Sequence, residues 1–186
     1  EFHLPKAAKR PGLTQALDGS CGIPLSMRRQ LSLFLSPDQR AVVEPIRQRL
    51  DPRQHAIIPA HVTLCRDDEL AHWPLVRERL ENLKSFSITM RFGDPQVLPD
   101  GCVLLRPTHG IEEYQHLRQL VLGPRATAHG AHLTLLHPRN SAGVTYDLAE
   151  IADALTGLTT TFRTIALIEQ CESGKWVVQQ EYGAAI

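Results

Sequence analysis

Apolar residues recur with two different periods along this chain. In some stretches every second residue is apolar, as at Leu31, Leu33 and Leu35, and this is the period of a strand with one buried face. In other stretches the spacing is three or four residues, which is typical of a helix with one buried stripe. Because the two kinds of stretch follow one another along most of the chain, the pattern predicts a mixed protein of strands and helices.

Residues that are typical of helix starts locate several of these elements in the sequence. Ser36 is predicted as the N-cap of a helix, with Pro37 at the first helical position and Gln39 completing a capping box. The residues that this helix is predicted to bury are Val42, Val43, Ile46 and Leu50. Pro74 is expected to open a second helix that carries Leu75, Val76, Leu80 and Leu83. Further helices are predicted at 111–122 and 147–155, and strands at 31–35, 86–92, 102–106, 162–169 and 176–181.

Two short segments carry the same four-residue pattern of His, an apolar residue, Thr and an apolar residue. They are His61-Val62-Thr63-Leu64 and His132-Leu133-Thr134-Leu135. On a strand, His and Thr at positions i and i+2 share one face, while the two apolar residues share the other. Two such strands side by side would place two imidazoles and two hydroxyls around one small space. Two histidines can share the roles of acid and base at neutral pH, and hydroxyls can bind phosphate oxygens.

The neighbouring elements repeat with the same offset. The two motifs are 71 residues apart, and adding 71 to 31–35 gives 102–106, while the first helix moves onto 111–122. A helix and a strand follow each motif. The predicted fold is therefore α+β and bilobal, a duplication in which each lobe has an antiparallel-rich sheet with helices on its outer face. The two motifs would then face each other across an active-site cleft between the lobes.

Residues 1–26 differ from the rest of the chain. They are rich in Gly, Pro, Lys and Ala and show no period, so we expect a tail or a cloning remnant. Residues 27–186 are expected to form a single bilobal domain whose corresponding elements start near 31 and 102.

Composition limits the classes of function. The 186 residues include 42% apolar residues, enough for one sizeable core, and 20 Lys plus Arg balance 20 Asp plus Glu. The chain lacks the overall positive charge that extended nucleic-acid binding requires, so a nucleic acid would be held at a few nucleotides. The four cysteines are scattered, which favours reduced thiols and a cytoplasmic location. No apolar run approaches the length of a membrane span.

The paired motifs resemble the signature of the 2H phosphoesterases, and residues 27–37 are similar to the first strand and turn of their bacterial members. The most similar group is that of the RNA 2′,3′-cyclic phosphodiesterases, also called 2′-5′ RNA ligases. The resemblance covers 27–186 and implies a bilobal α+β fold. It also implies metal-independent opening of a 2′,3′-cyclic phosphate, typically to a 2′-phosphate, and the reverse 2′-5′ ligation would be the same chemistry.

The resemblance also implies roles for particular residues. His61 and His132 would be the catalytic acid–base pair, and Thr63 and Thr134 would bind the phosphate. Many members have an Arg five residues after a motif His, close to the phosphate. Arg66 holds that place after His61, but His137 holds it after His132, so the two halves would contact the substrate unequally. We expect a monomer without a cofactor that acts on an RNA terminus or a small cyclic nucleotide, such as one derived from ADP-ribose.

Two other interpretations stay open. His129, His132 and His137 lie close together in sequence, and a metal-dependent hydrolase would use histidines as ligands. The chain would alternatively be a non-catalytic module that binds a nucleotide or RNA. The presence of both His and both Thr residues favours catalysis, because binding alone does not require two titrating groups.

Overall fold

Eight antiparallel strands in a single curled sheet form the framework of the computed structural model, which describes residues 27–124 and 126–183. The predicted tail, 1–26, lies outside the described residues. The strands are β1 (Met27–Phe34), β2 (His61–Cys65), β3 (Ile88–Val97), β4 (Val103–His109), β5 (Leu133–Leu136), β6 (Thr159–Phe162), β7 (Ile165–Cys171) and β8 (Val177–Tyr182). The helices are α1 (Pro37–Leu50), α2 (Pro52–Ile57), α3 (Trp73–Glu81), α4 (Ile111–Leu122) and α5 (Leu148–Leu155). The predicted α+β class with an antiparallel sheet is confirmed.

The order of strands across the sheet is β6-β3-β4-β5-β2-β1-β7-β8. The two motif strands, β2 and β5, are neighbours at the centre and pair through Val62 and Leu133. Moving outward from this seam, β1 corresponds to β4, β7 to β3 and β8 to β6. The sheet therefore consists of two similar four-stranded halves that are related by an approximate two-fold axis at the seam.

Each half of the sheet contains strands from both halves of the sequence. β3 follows the first motif in the chain but pairs with β4 on the side of the second motif, and β7 follows the second motif but pairs with β1. The stretch 162–169, predicted as one strand, is consequently divided between β6 and β7, which lie in opposite halves of the sheet. That prediction was wrong because the chain leaves β6 at Arg163 and Thr164, which belong to neither strand, and this short link joins β6 to β7 where the curl of the sheet brings the two together.

Helices α1, α3, α4 and α5 contribute their apolar stripes to one core on one face of the sheet. Tyr114, Leu117 and Val121 of α4 are buried as predicted, and so are Val43, Ile46 and Leu50 of α1. On the sheet itself the core face carries Leu31, Leu33, Val62, Leu64, Leu133 and Leu135. The alternation that buries these residues turns His61, Thr63, His132 and Thr134 towards the opposite face.

Some details of the helices differ from the prediction. Val42 is 48% exposed and Leu75 is 53% exposed, because each lies one residue away from the narrow stripe that faces the core. The Oγ of Ser36 accepts the Gln39 N–H at 3.4 Å, but the side-chain oxygen of Gln39 has no partner among the described residues, so the reciprocal half of the capping box is missing. The short helix α2 was not predicted.

Cys65, Cys102 and Cys171 are free thiols, and Cys21 lies outside the described residues. Within 27–124 and 126–183, no helix has both the length and the apolarity needed to cross a membrane.

Candidate active site

The two motifs form a four-residue cluster at the seam, here called the quartet: His61, Thr63, His132 and Thr134. Since Val62 pairs with Leu133 in an antiparallel register, His61 lies across from Thr134, and Thr63 lies across from His132. The two histidines are then diagonal neighbours, a relation that places Cα atoms about 7–8 Å apart across a sheet. Imidazoles on such a diagonal can approach one phosphorus atom from two sides.

Both imidazoles are held by the same backbone contact. The Nδ1 of His61 is 2.8 Å from the Pro59 carbonyl, and the Nδ1 of His132 is 2.9 Å from the Gly130 carbonyl, in each case two residues earlier. A carbonyl oxygen only accepts hydrogen bonds, so the proton of each neutral ring lies on Nδ1. Nε2 is then an acceptor in the neutral ring and a donor in the imidazolium, which are the states that a base and an acid require.

One histidine of the quartet, His61, has its pKa changed by burial. Burial lowers the pKa of His61 to about 4, and the charges of Arg47 and His132 act in the same direction against the bond to Pro59. His61 is therefore neutral at pH 7 in the free protein and is able to accept a proton. A bound phosphate would raise this pKa, because its negative charge favours the imidazolium.

Gln30 is a site residue that the sequence analysis missed. Its side-chain nitrogen lies 3.1 Å from the Oγ1 of Thr63, 2.8 Å from the Oγ of Ser32 and 3.4 Å from the Nε2 of His61. The amide thus joins a histidine and a threonine of the quartet. A signal existed in the sequence, since Gln30 and Ser32 alternate with Leu31 and Leu33 and so share the polar face of β1, the strand beside the first motif.

A cavity of about 620 Å³ opens over the quartet, within the size range of small-ligand pockets. All four quartet residues line it. Its charged lining consists of four arginines and one carboxylate: Arg28, Arg53, Arg106, Arg139 and Glu172. A chain with no net charge therefore concentrates positive charge around the two histidines. Folding brings these arginines together from separate parts of the sequence, which composition does not reveal.

The two residues five positions after the motif histidines have different surroundings. Arg66 is exposed, and its Nε and Nη2 donate to the carboxylate of Asp68 at 3.1 and 2.7 Å. It is not among the residues that line the cavity, so the structure does not bring it to the quartet. His137 does line the cavity, and its backbone N–H donates to Asp51 at 2.9 Å.

Helices α1 and α4 each contribute a side chain that secures the backbone before one motif, another feature that the sequence analysis missed. Arg47 donates twice to the Ile58 carbonyl at 3.1 Å, three residues before His61. The Gln115 side chain donates to the His129 carbonyl, three residues before His132. The two carbonyls are 71 residues apart, but the offset matches Gln115 to Glu44 rather than to Arg47, so the two helices reach equivalent carbonyls from different positions.

Arg118 and Tyr114 hold the first motif from the core side. The buried Arg118 donates to the Leu64 carbonyl, to the Thr127 carbonyl at 3.0 Å and to the carboxylate of Glu69. The Tyr114 hydroxyl donates to the Thr63 carbonyl at 2.6 Å. The Thr63 and Leu64 carbonyls belong to β2, so side chains of α4 bind the backbone of the first motif directly.

The histidines considered as zinc ligands do not form one cluster. The rings of His129 and His132 are edge-on with centroids 5.8 Å apart, whereas His137 follows the far end of β5. Among the described residues, no three His, Cys, Asp or Glu side chains are grouped so that they could hold a metal ion.

No protein-family model matches the sequence, and no curated protein matches it significantly. Solved structures do match. Escherichia coli LigT complexed with phosphate has a TM-score of 0.59 at 13% identity, over 87% of this chain and 99% of that chain. E. coli LigT complexed with ATP has a TM-score of 0.57 at 15% identity, over 86% and 99%. A protein described as a phosphoesterase has a TM-score of 0.56 at 15% identity, over 87% and 100%. The chain therefore has a LigT-like fold.

Proposed function

We propose that this protein is a 2H phosphoesterase that opens 2′,3′-cyclic phosphates by two-histidine acid–base catalysis without a metal. The observation that carries the proposal is the equivalent presentation of two imidazoles. Each ring is fixed through Nδ1 by the carbonyl two residues earlier, and both rings line the same arginine-lined cavity. A structural histidine on one strand would not require this duplication.

The reaction needs one proton acceptor and one proton donor. The neutral histidine takes a proton from water, whose oxygen forms a bond to phosphorus. The bond from phosphorus to the ribose O3′ then breaks, and the protonated histidine gives its proton to that oxygen, leaving a 2′-phosphate. The approximate two-fold symmetry of the quartet allows either histidine to take either role. If a 5′-hydroxyl replaced water as the nucleophile, its oxygen would form the bond to phosphorus while O3′ leaves, and the same proton transfers would give a 2′-5′ phosphodiester, which is ligation.

The other quartet residues would bind the phosphate. Thr63 and Thr134 lie across the seam from the two histidines, so their hydroxyls are placed to donate to the non-bridging oxygens. Gln30 would fix the orientation of Thr63 and His61. His137 lines the same cavity and is proposed as a further substrate contact. Arg66 would join the site only if its guanidinium left Asp68.

The solved structures support the phosphate chemistry at the level of the fold. The similar LigT structures include complexes with phosphate and with ATP. The substrate proposed for this chain is an RNA end or a small nucleotide that carries a 2′,3′-cyclic phosphate. The location of the arginines within one cavity favours a terminal or small substrate over a duplex.

The test is hydrolysis of a 2′,3′-cyclic nucleotide in excess EDTA by the wild-type protein, His61→Ala and His132→Ala. We expect turnover by the wild type and a loss of about 10²-fold or more in each variant. The double variant should be little worse than either single variant, because the two groups act in one step.

The same assay distinguishes the alternatives. Activity that is lost in EDTA and restored by zinc would establish a metal-dependent hydrolase. Binding of the cyclic nucleotide without turnover, unaffected by either substitution, would establish a binding module. Arg77→Ala is a matched surface control, since Arg77 is exposed and pairs with Glu81 within α3.

A further inference from the structure

A second group of polar side chains lines the cavity beyond the quartet. It consists of Arg53 at the start of α2 together with His137 and Arg139, which follow β5. These residues come from segments that are far apart in sequence. Their convergence on one wall of the cavity has no part in the acid–base step described above.

The buried carboxylate of Asp51 fixes this wall. Asp51 is 1% exposed and accepts hydrogen bonds from the Gln54 N–H at 2.9 Å, the His137 N–H at 2.9 Å and the Asn140 side chain at 2.8 Å. One side chain thereby locks the first turn of α2 to the segment after β5. Arg53 and Arg139 are held on adjacent, rigid pieces of backbone, so their relative position is built into the fold.

The fixed positive charge on this wall comes from the arginines. The His137 Nδ1 accepts the Arg139 backbone N–H at 3.1 Å, so the proton of the neutral ring lies on Nε2. Burial and the charge of Arg139 lower the pKa of His137, which keeps the ring neutral at pH 7. Among the described residues neither Arg53 nor Arg139 forms an ion pair, in contrast to Arg66 and Arg77. Both arginines are exposed. The Arg139 Nε donates to the His137 Nδ1 at 3.4 Å, and the Nη groups of Arg139 and the guanidinium of Arg53 are the donors proposed for an anion.

The separation of this wall from the quartet suits a neighbouring nucleotide. His137 is three residues after Thr134 in extended backbone, and at a rise of about 3.3 Å per residue this is about 10 Å. The backbone that carries Arg139 therefore lies beyond the end of β5, displaced along the sheet from the quartet by about this distance. The distance is comparable with the span of one nucleoside, and both places open into the same cavity.

We propose that Arg53, His137 and Arg139 form a second phosphate site, for the phosphate on the 5′ side of the nucleotide that carries the cyclic phosphate. The inference rests on the proposed function. The substrate class that it assigns is a nucleotide with two phosphates, either a 5′-phosphorylated nucleoside 2′,3′-cyclic phosphate or the end of an RNA chain. Arginine suits this role because its planar, always charged guanidinium matches phosphate oxygens with two parallel donors.

The experiment compares kcat/KM for three substrates: a nucleoside 2′,3′-cyclic phosphate, its 5′-phosphorylated form, and a dinucleotide with the same cyclic end. We expect the wild type to prefer both two-phosphate substrates to the first. Arg53→Ala and Arg139→Ala should each lower that preference about tenfold, as expected for the loss of one charge-assisted contact. Arg139→Lys should keep part of it, since the charge remains. Arg77→Ala, which removes a charge outside the cavity, should leave the preference unchanged.

Each other outcome has a definite meaning. A preference that survives in both Arg53→Ala and Arg139→Ala, or that falls equally in Arg77→Ala, would overturn the second site while the proposed function stands. A preference for the dinucleotide alone, unaffected by these variants, would point to contacts with the base and would also overturn it. If the wild type opens none of the three substrates, the proposed function fails and the second site fails with it.

Discussion

The depressed pKa of His61 makes stability depend on pH in a way that one substitution removes. In the unfolded chain this histidine has its ordinary pKa of 6.5, whereas burial lowers the pKa to about 4 in the folded protein. Between these values the unfolded state binds a proton that the folded state does not. The free energy of unfolding must therefore fall as the pH falls from about 6.5 towards 4. Above and below this window His61 contributes no further slope.

The magnitude follows from the two pKa values. At pH 5, protonation of His61 stabilises the unfolded chain by about 1.36 kcal/mol for each of the 1.5 pH units below 6.5, which amounts to about 2 kcal/mol. His61→Ala removes this pH-dependent contribution to the free energy of unfolding. It also causes a loss of packing that is the same at every pH. The difference in stability between the variant and the wild type should thus shift by about 2 kcal/mol in favour of the variant between pH 8 and pH 5. For a domain of this size that shift corresponds to about 4–8 °C in Tm.

The assay is urea denaturation of both proteins at pH 8 and pH 5 without ligand. The pKa values of His129 and His137 are also lowered, but their contributions are common to both proteins and cancel. Thr63→Ala is the matched control, because it changes the same cavity without removing a titrating group, and its stability difference should be the same at both pH values. An equal difference for His61→Ala at pH 8 and pH 5 would refute the conclusion that the site holds His61 neutral.

Three further substitutions test the surroundings of the quartet. Arg118→Met leaves two carbonyls and a carboxylate without their buried donor, so we expect a loss of about 3–5 kcal/mol in urea denaturation, and a loss below 1 would contradict the positioning role. Gln30→Ala should lower kcat/KM about tenfold, the value of one good hydrogen bond, with little change in Tm; unchanged kinetics would remove Gln30 from the site. Arg66→Ala should change kcat/KM less than about twofold, because Asp68 holds the guanidinium outside the cavity, and a large rise in KM would restore it as a phosphate contact.

Local patterns were sufficient to predict most of the elements and the motif. The alternation around Met90, the helix near 147–155 and the bounds of α4 depend on neighbouring residues, and the structure contains all three. The quartet was predictable because a strand fixes which side chains share a face. The repeat offset of 71 matched β1 to β4 and one motif strand to the other. In the sheet, the members of each match occupy corresponding places on the two sides of the seam.

Features that depend on tertiary contacts were not predictable in this way. The exchange of β3 and β7 between the halves of the sheet does not alter the spacing of apolar residues in either strand, so the sequence does not reveal it. The charge of the cavity arises from arginines on separate elements, and the position of Arg66 depends on an ion pair with its neighbour Asp68 rather than on its distance from His61 in sequence. The short helix α2 exists because Asp51 caps it and also binds the segment after β5.

The central claim is that His61 and His132 divide the acid and base roles between them. The most direct test uses two substrates, a 2′,3′-cyclic nucleotide and a thymidine 4-nitrophenyl phosphodiester, whose leaving group departs without a proton. Both His61→Ala and His132→Ala should lose most activity on the cyclic nucleotide. On the nitrophenyl ester, the variant that lacks the acid should recover activity close to the wild-type rate, while the variant that lacks the base should not. Equal losses in both variants on both substrates would contradict the division of roles.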